Sequence, residues 1–267
     1  MSILVPFPAQ ETVFLELQSF YPDVKFLPLD DPIMSKGPGS DHEHLDALRA
    51  YGLTYAEGEI IALVEDQEIM HSDWAKKMIE AHSGDFAVVG GAIENGYQDP
   101  LNWAAYFCDF LNYQNPLHAH QSSDASDANI SYKRVVIRDI QSTWQEGYHE
   151  LFVHQAIVSR GWKIGIEPEA IVFRMRIGMR LSRAMKERFI WGRHYAALRQ
   201  RTFPRWKSLL YALFSALLPL LLIVRKTRII FKKDRNVAVF LRVLPLTFLL
   251  LIFWSFGEMV GYLTGKS

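Results

Sequence analysis

Two acidic runs stand directly after short apolar segments, where their carboxylates could bind a cation that also binds the phosphate of a ligand. Asp30 and Asp31 follow the segment 24–29, and the run Glu-Asp-Gln-Glu at 65–68 follows the segment 59–64. Mg²⁺ commonly takes one or two carboxylates and completes its shell with water and phosphate oxygens, and it can neutralise a departing diphosphate. A solvated turn after a strand has the same composition, and Asp30 and Asp31 could instead bond a base or ribose. Composition alone leaves these interpretations open.

The segment Tyr-His-Glu-Leu-Phe-Val-His at 148–154 offers a general base. Its histidines, His149 and His154, are five residues apart, so on a helix they diverge by about 140°. A zinc-protease helix needs histidines four apart, which excludes that chemistry here. Glu150, at the start of a predicted helix, could deprotonate a hydroxyl group, or it could simply be favourable at a helix N-terminus. Arg49, on another predicted helix, could reach a pyrophosphate or be an ordinary exposed arginine.

Several common nucleotide and hydrolase motifs are absent from the sequence. It contains no Gly-rich P-loop, no G-x-G-x-x-G after a strand and no G-x-S-x-G elbow, which argues against nucleotide kinases, dinucleotide dehydrogenases and α/β-hydrolases. His42, His44, His118 and His120 are close enough in sequence to share a metal, but we do not interpret them as ligands. The single cysteine, Cys108, excludes a disulfide framework and suits a reducing, cytosolic face.

Strand-like and helix-like patterns alternate through the first two thirds of the chain. Short apolar segments are bounded by polar, Gly or Pro residues, and between them apolar residues recur every three or four positions. This alternation predicts an α/β layered sheet, in which ligands bind beyond the carboxyl ends of the strands. Both acidic runs fall at such ends. The predicted strands are 2–7, 24–29, 59–64, 86–93, 130–137, 162–166 and 170–173, and the predicted helices are 11–21, 43–56, 73–82, 102–115 and 150–160.

The charges divide the chain into two parts. Residues 1–173 carry 10 Lys and Arg against 26 Asp and Glu, whereas residues 174–267 carry 19 against 3. A basic segment of this kind usually faces nucleic acid or phospholipid. Because strongly apolar residues follow it, we expect a membrane and no nucleic acid. The predicted organisation is a sheet domain at 1–173, a basic amphipathic segment at 174–207 that lies on the membrane or packs on the acidic domain, and a hydrophobic helical hairpin at 208–267.

Two C-terminal segments are apolar enough to enter a bilayer. Residues 208–224 contain no charged residue and would form about 25 Å of helix, and residues 237–257 are interrupted by Arg242. A basic stretch precedes the first segment and another separates the two. Two full spans would place these stretches on opposite sides, against the positive-inside preference. A re-entrant or interfacial hairpin, helped by Pro219 and Pro245, would keep both on the cytosolic side, and the number of spans stays open.

Five stretches of the chain, taken in order, carry a family resemblance. The longest is LRAYGLTYAEGEIIALVEDQEIMHSDW at 48–74, which is similar to the pattern RNxGLxxAxGxxIxxLDxDxxxxPxW. The others are VKFLPLDD at 24–31, DFAVVGGAIENG at 85–96, DANISYKR at 127–134, in the place of GxNxAxRR, and EGYHELFVHQAIVSRGWKIGIEPEAIVF at 146–173. Together these stretches resemble family 2 glycosyltransferases of the membrane-anchored bacterial type. The likeness indicates a family and no particular substrate.

The resemblance implies a GT-A fold, a Rossmann-like, mixed but mostly parallel sheet flanked by helices in the domain 1–173. It also implies an enzyme that uses a nucleotide-sugar donor. In this family the second strand ends in an aspartate that contacts the nucleoside, which corresponds to Asp30 or Asp31. Arg49 would lie at the diphosphate, and Glu65 with Asp66 would complete the donor-binding residues.

The resemblance also implies a divalent cation, Mg²⁺ or Mn²⁺, and a catalytic base. Asp66 would hold the cation together with Glu65 or Glu68, and Glu150 would be the base of an inverting single displacement. One departure affects the cation: Gln67 stands where the family motif has its second metal carboxylate. Cation binding therefore depends on Glu65 or Glu68.

The acceptor and the reaction type follow from further comparison with the family. Trp103 and Tyr106 are candidates for the acceptor side, although an aromatic helix also suits a core. The Q-x-x-R-W motif of processive synthases is absent, which favours a single transfer over polymerisation. We expect a lipid-linked or glycan acceptor, and a catalytic domain on the cytosolic face of the inner or plasma membrane. The alternative is a membrane scaffold or partner subunit that kept the fold and lost the metal motif.

Overall fold

The structure is a computed structural model that describes residues 1–30, 41–202 and 204–266. The chain divides into two compact units. The first contains residues 1–66, 70–92 and 117–172, and the second contains residues 67–69, 93–116 and 173–267. The chain therefore passes between the units several times. Each unit is described by itself below.

The first unit begins with a small parallel sheet. Helix α1 (Val13–Phe20) connects strand β1 (Ile3–Pro8) to strand β2 (Val24–Leu29). The two strands pair with each other, with Ile3 opposite Val24. Helix α2 (Asp41–Tyr55) follows and contacts both strands. Ala50 and Leu53 lie on the face of α2 that points away from solvent, and both are buried in the core. The sheet thus holds the helix that carries Arg49.

A larger sheet of six strands has the order β3-β7-β5-β8-β4, with β6 paired to β8. The β3–β7, β5–β7 and β6–β8 pairs are antiparallel. The predicted α/β class with a mixed sheet is confirmed, but the sheet is not one mostly parallel layer, because the parallel β1–β2 pair stands separately. The strands are β3 (Ile60–Val64), β4 (Glu68–Met70), β5 (Val88–Asn95), β6 (His120–Ser122), β7 (Asn129–Lys133) and β8 (Ile164–Arg174).

Helices pack around the part of this sheet that belongs to the first unit and enclose an aromatic and aliphatic core. Tyr132, Trp144 and Tyr148 are among the largest side chains that are fully buried there. The Trp144 indole N–H donates to the Ile137 carbonyl at 2.7 Å, so its polar atom is satisfied. The helices are α3 (Trp74–Ala81), α5 (Arg134–Asp139), α6 (Gln141–Trp144) and α7 (Glu150–Ser159).

A buried asparagine fixes the strands at the centre of this unit. The Asn129 amide donates to the carbonyls of Ala92 and Ala170, each at 2.9 Å, and accepts from the Trp74 indole N–H at 2.8 Å. A side chain at Gly91 could not fit, since its Cβ would lie 2.1 Å from the Ala170 oxygen. These contacts determine where β7 begins, and hence the position of the loop that carries Asp127.

The second unit is built mainly from helices. Its helices are α4 (Pro100–Asp109), α8 (Leu181–Gln200), α9 (Arg205–Ser215), α10 (Leu218–Lys233) and α11 (Val237–Thr264), with a 3₁₀ turn at Leu111–Tyr113. Helix α8 packs along α11 at very close range. A Cβ added at Gly257 would lie 2.0 Å from the Phe189 oxygen, and one added at Gly261 would lie 2.4 Å from the Arg193 oxygen. The G-x-x-x-G spacing in α11 therefore lets two backbones touch, as in membrane helix pairs.

One helix in the described part of the chain, α11, is long and apolar enough by itself to cross a membrane. It has 28 residues, and its most apolar window has a mean hydropathy of 2.4. Helices α9 and α10 meet the same criterion only when taken together, and they are bent by 68° relative to each other. The C-terminal apolar region predicted from the sequence thus contains one candidate span and one bent pair.

Several predicted elements differ from the structure, and the helix predicted at 102–115 is one of them, since α4 ends at Asp109. The strand predicted at 130–137 ends at Lys133, where its partner β3 begins, and α5 follows. The two strands predicted at 162–166 and 170–173 are one strand, β8, which continues through a proline that usually ends a ladder. The helix predicted at 208–224 is broken, and Pro219 lies in the first turn of α10, where its missing N–H is tolerated.

Candidate functional site

Three charged residues from distant parts of the chain meet in the first unit. Arg49 on α2 is 2.5 Å from Asp127, in the loop before β7, and 3.1 Å from Glu65, the first residue after β3. Each arginine nitrogen takes one carboxylate, so the guanidinium bridges the two loops. The side chain of Arg49 is only 13 % exposed, and partial burial strengthens such charge-assisted bonds. The arginine therefore fixes the edge of the sheet at which both loops emerge.

Glu150 lies beside this bridge as the first residue of α7. Its side chain is 35 % exposed, so solvent reaches it. Partial removal of the carboxyl from water and the negative charge of Asp127 raise its pKa well above the usual range, although the Arg49 guanidinium opposes this shift. Asp124 adds a further negative charge in the same direction, and the Asp127 main-chain N–H donates to the carboxylate. A carboxyl with a raised pKa has a higher proton affinity than an ordinary carboxylate, and one that solvent reaches can exchange that proton with a ligand.

Two buried tyrosines lie behind Arg49 and Glu150. The hydroxyl groups of Tyr132 and Tyr148 are hydrogen-bonded to each other, and both rings are fully buried. The Arg49 guanidinium lies over the Tyr148 ring, 5.9 Å from its centroid. Burial raises the pKa of both hydroxyl groups, so they stay protonated. The tyrosines give the charged residues a rigid, water-excluding floor.

Helix α2 also holds the loop that leads into Glu150. Asp46 is one turn before Arg49 on α2, on the same face of the helix. Its carboxylate is 2.7 Å from Nδ1 of His149, and its main-chain carbonyl accepts from the Tyr148 N–H at 2.9 Å. One helix face therefore positions both the arginine and the residues on either side of the turn into α7.

A second histidine contacts Glu150 from within α7. Nδ1 of His154 lies 4.0 Å from the Glu150 carboxylate, one turn along the helix. Burial lowers the pKa of His154 to about 4, against the opposing charge of Asp124. The imidazole is therefore neutral at physiological pH and cannot offset the charge of Glu150.

The other predicted site residues are placed unevenly. Asp66 is exposed directly after β3, beside the Arg49 bridge. Asp30 is exposed at the end of β2, in the smaller sheet, and Asp31 lies outside the described residues. Glu68 belongs to the second unit, where its carboxylate is fully buried and is 3.3 Å from Arg174. The structure thus brings together Arg49, Glu65 and Glu150, and Asp66 is next to Glu65 in the chain. Glu68 forms an ion pair with Arg174 instead.

The two aromatic residues predicted for the acceptor side are in the interior of the second unit. Trp103 is 7 % exposed and Tyr106 is 2 % exposed, and their rings meet edge to face on α4, with centroids 5.6 Å apart. The Tyr106 hydroxyl donates to the Ile93 carbonyl at 2.7 Å. Both side chains are therefore packed core residues, which is the alternative to an acceptor-side role that the sequence left open.

Sequence reasoning missed Asp127, which bonds Arg49 and faces Glu150. The residue stands in a polar stretch and is 78 positions from Arg49, so no local pattern distinguishes it. Its only signal was its place at the start of the stretch that replaces GxNxAxRR. Tyr148 and Asp46 were missed for the same reason, because their roles depend on contacts between elements far apart in the chain.

No protein-family model matches the chain, and no curated protein matches it. The chemistry of the site must therefore be argued from its own geometry.

Proposed function

We propose that this protein is an inverting, non-processive glycosyltransferase of the GT-A type, related to family 2. It would move one sugar from a nucleotide-sugar donor to a lipid-linked or glycan acceptor. The main support is Glu150, a solvent-reachable carboxyl whose pKa is raised and which lies beside a carboxylate-bound arginine at the edge of a sheet. That combination suits proton abstraction from a hydroxyl group next to a phosphate-bearing ligand.

In the proposed reaction, the Glu150 carboxylate takes the proton of the acceptor hydroxyl. The acceptor oxygen forms a bond to the anomeric carbon as the bond from that carbon to the nucleoside diphosphate breaks. The electron pair of the broken bond leaves on the diphosphate. Attack from the face opposite the leaving group inverts the anomeric configuration. Asp127 has two tasks, since its carboxylate keeps the pKa of Glu150 high and its N–H orients that carboxylate.

Arg49 would face the diphosphate only after a change of partners. Its guanidinium is now shared by Glu65 and Asp127, so a bound diphosphate must compete with one of these carboxylates. Glu65 is the simpler partner to displace, because its bond is the longer one, at 3.1 Å. The released carboxylate would then stand next to Asp66, at the expected position of the cation.

The carboxylates available for a divalent cation fit only in part. Asp66 is exposed, and Glu65 is its neighbour, so these two could hold Mg²⁺ or Mn²⁺ with donor phosphate oxygens completing the shell. Glu68 does not fit, because its carboxylate is buried against Arg174, and Gln67 offers a neutral amide. When bound, the cation would neutralise charge that develops on the departing diphosphate.

A membrane location suits this function. An acceptor that is confined to a bilayer is reached most readily by an enzyme held at the same surface. Helix α11 supplies a candidate span, and the basic C-terminal part of the chain favours the cytosolic face of the inner or plasma membrane. We include this location in the proposal.

A second candidate is a membrane scaffold or partner subunit that kept the fold without activity. Gln67 and the buried Glu68–Arg174 pair favour it, since they leave one freely exposed carboxylate in the acidic run. Transfer of radiolabelled sugar by membranes that contain the protein separates the two candidates. Wild-type protein should transfer label from at least one donor of a panel, and absence of transfer across the panel supports the scaffold.

Variants test the base directly. Glu150→Gln should lower transfer by at least about a hundredfold, since general-base catalysis contributes roughly that much. Glu146→Gln is the matched control, because Glu146 is exposed in the loop just before α7. Equal transfer by the wild type and Glu150→Gln would refute the assignment of the base while leaving a transferase in place.

A further inference from the structure

The cations of α10 lie on two different faces of the helix. Lys226 donates to the carbonyls of Phe107 and Cys108, at 2.8 and 2.7 Å, and so caps the C-terminal end of α4. Lys233, seven residues later on the same face, donates to Gln114 and to other carbonyls of the 111–116 turn. These lysines attach α10 to the rest of the second unit and determine which face of the helix points outward.

The outward face of α10 changes in chemistry along its length. Near the bend it exposes leucines, with Leu220 and Leu221 55 % and 65 % exposed, followed by Val224. Further along the same stripe it exposes Arg225, Arg228 and Lys232. A shallow groove joins the two halves and is lined by Leu220, Leu221, Val224, Arg225, Arg228 and Ile229. An apolar half next to guanidinium groups matches the acyl chains and phosphate of a phospholipid.

Helix α9 has the same two kinds of residue in the reverse order along the chain, with basic residues first and apolar residues last. Its first turn carries Arg205 and Lys207, and its later turns expose Leu209, Leu213 and Phe214. Both helices are therefore most apolar at the bend that joins them and most basic at their far ends. The bend is the deepest point of such a pair in a membrane, and the basic ends return to the surface.

The uncharged parts of the two arms together are shorter than the core of a bilayer. The uncharged residues 208–215 and 218–224 rise about 12 Å and about 10 Å. At the observed bend of 68°, they extend about 20 Å from end to end, whereas a hydrocarbon core is about 30 Å thick. If the pair enters the membrane from one side, the bend would reach about 6 Å below the surface, which is within the depth of interfacial helices.

We infer that α9 and α10 form a wedge that enters one leaflet, and that Arg225 and Arg228 bind the phosphate of an anionic phospholipid there. The occupant is a lipid and not a free anion, because the groove continues from the arginines onto leucine and valine side chains. The inference is independent of the sugar-transfer reaction. It adds a binding site for a lipid headgroup to a region for which the sequence indicated a spanning, re-entrant or interfacial hairpin.

Lipid selectivity tests the headgroup site. Full-length protein in a neutral detergent should bind spin-labelled phosphatidylglycerol in preference to spin-labelled phosphatidylcholine. Arg225→Gln with Arg228→Gln should weaken phosphatidylglycerol binding by about thirtyfold, at roughly fivefold for each cation. Lys25→Gln with Lys76→Gln removes the same charge from exposed positions of the first unit and should bind like the wild type. Unchanged melting temperatures would show that both variants fold.

Three results of that experiment would overturn the inference. The first is equal binding of the two lipids by the wild type. The second is an arginine variant that binds like its matched control. The third is displacement of phosphatidylglycerol by millimolar inorganic phosphate, which would identify a site for a free anion and not for a lipid.

A double-cysteine variant tests the wedge. In a Cys108→Ser background, Thr202→Cys and Lys232→Cys place one exposed thiol beyond each arm. Sealed vesicles are treated with a membrane-impermeant maleimide and the labels on each molecule are counted by mass spectrometry. A wedge predicts two labels or none, whichever way the protein inserts. Molecules with one label would show that the pair crosses the membrane.

Discussion

The main-chain N–H of Asp127 donates to the carboxylate of Glu150, while the side chain of the same aspartate raises the pKa of that carboxyl. The two contributions oppose each other: the N–H bond lowers the pKa of the carboxyl, and the side-chain charge raises it by more. The aspartate is itself held by Arg49 at 2.5 Å. The three residues form a chain in which the arginine positions Asp127, and Asp127 adjusts Glu150.

Asp127→Asn should lower the pKa of Glu150. The change removes a negative neighbour, and the positive charge of Arg49, which keeps its bond to Glu65, still favours the ionised carboxyl. The base is active when deprotonated, so activity rises with pH through this pKa. The acid limb of the kcat/KM profile should therefore move to lower pH by about one unit. Carbon-13 NMR titration of the Glu150 carboxyl measures the same shift without a substrate.

Asp124→Asn serves as the graded comparison. Asp124 raises the pKa of Glu150 in the same direction as Asp127, but less strongly. Its variant should shift the limb less than Asp127→Asn. A shift to higher pH in the Asp127 variant would contradict the electrostatic account of Glu150.

Arg49→Gln should destabilise the protein strongly. The change leaves Glu65 and Asp127 facing each other without the cation that joins them, and removal of one partner of a partly buried ion pair costs about 3 kcal/mol. Arg49→Lys should lose less than Arg49→Gln but still more than a surface change, since one ammonium cannot reproduce the two-pronged bridge. Chemical denaturation of the purified protein measures both. Wild-type stability in Arg49→Gln would mean that the bridge contributes nothing.

Acid should destabilise the fold through buried histidines. His154 and His82 both have pKa values lowered by burial to about 4, so the unfolded chain binds more protons than the native one between about pH 4 and pH 6.5. Stability is lost as pH falls through that window, by about 2 kcal/mol for each histidine at pH 5. His154→Leu should reduce the difference between melting temperatures at pH 7 and pH 5. An undiminished difference would assign the acid sensitivity elsewhere.

Gly257→Ala should separate α8 from α11. The new Cβ would meet the Phe189 carbonyl at 2.0 Å, and the clash can be relieved only by moving a backbone. We expect a loss of about 2 kcal/mol or more, as for other overpacked sites. Gly84→Ala is the control, because its Cβ would have an ordinary contact at 3.9 Å. Thermal unfolding in detergent compares them, and equal melting temperatures would contradict the packing.

The sequence predicted those parts of the fold that depend on local patterns. The strand at Val24–Leu29 and the start of α7 at Glu150 agree with the structure to the residue. Each is marked locally, by apolar alternation or by an acidic residue that opens a helix. Elements whose limits depend on a partner were less well predicted, such as the end of β7, which is set by where β3 begins.

The composition of the site could be predicted only in part. Glu65, Arg49 and Glu150 were named from sequence and do lie together, but that Glu65 and Arg49 bond each other was not foreseen. Glu68 was named from its neighbours in the acidic run, and its actual partner, Arg174, is 106 positions away. Short-range patterns show which residue types are present; they do not show which charges are already neutralised by distant partners.

The way in which the chain alternates between the two units has a consequence for its inheritance. Residues 67–69 and 93–116 belong with the C-terminal helices, and α4 within them supports Phe240 and Arg188. A gene fusion that exchanged everything after residue 173 would replace the partners of α4 while leaving α4 behind. We therefore expect recombination to transfer the segments of the sheet region and the C-terminal helices together.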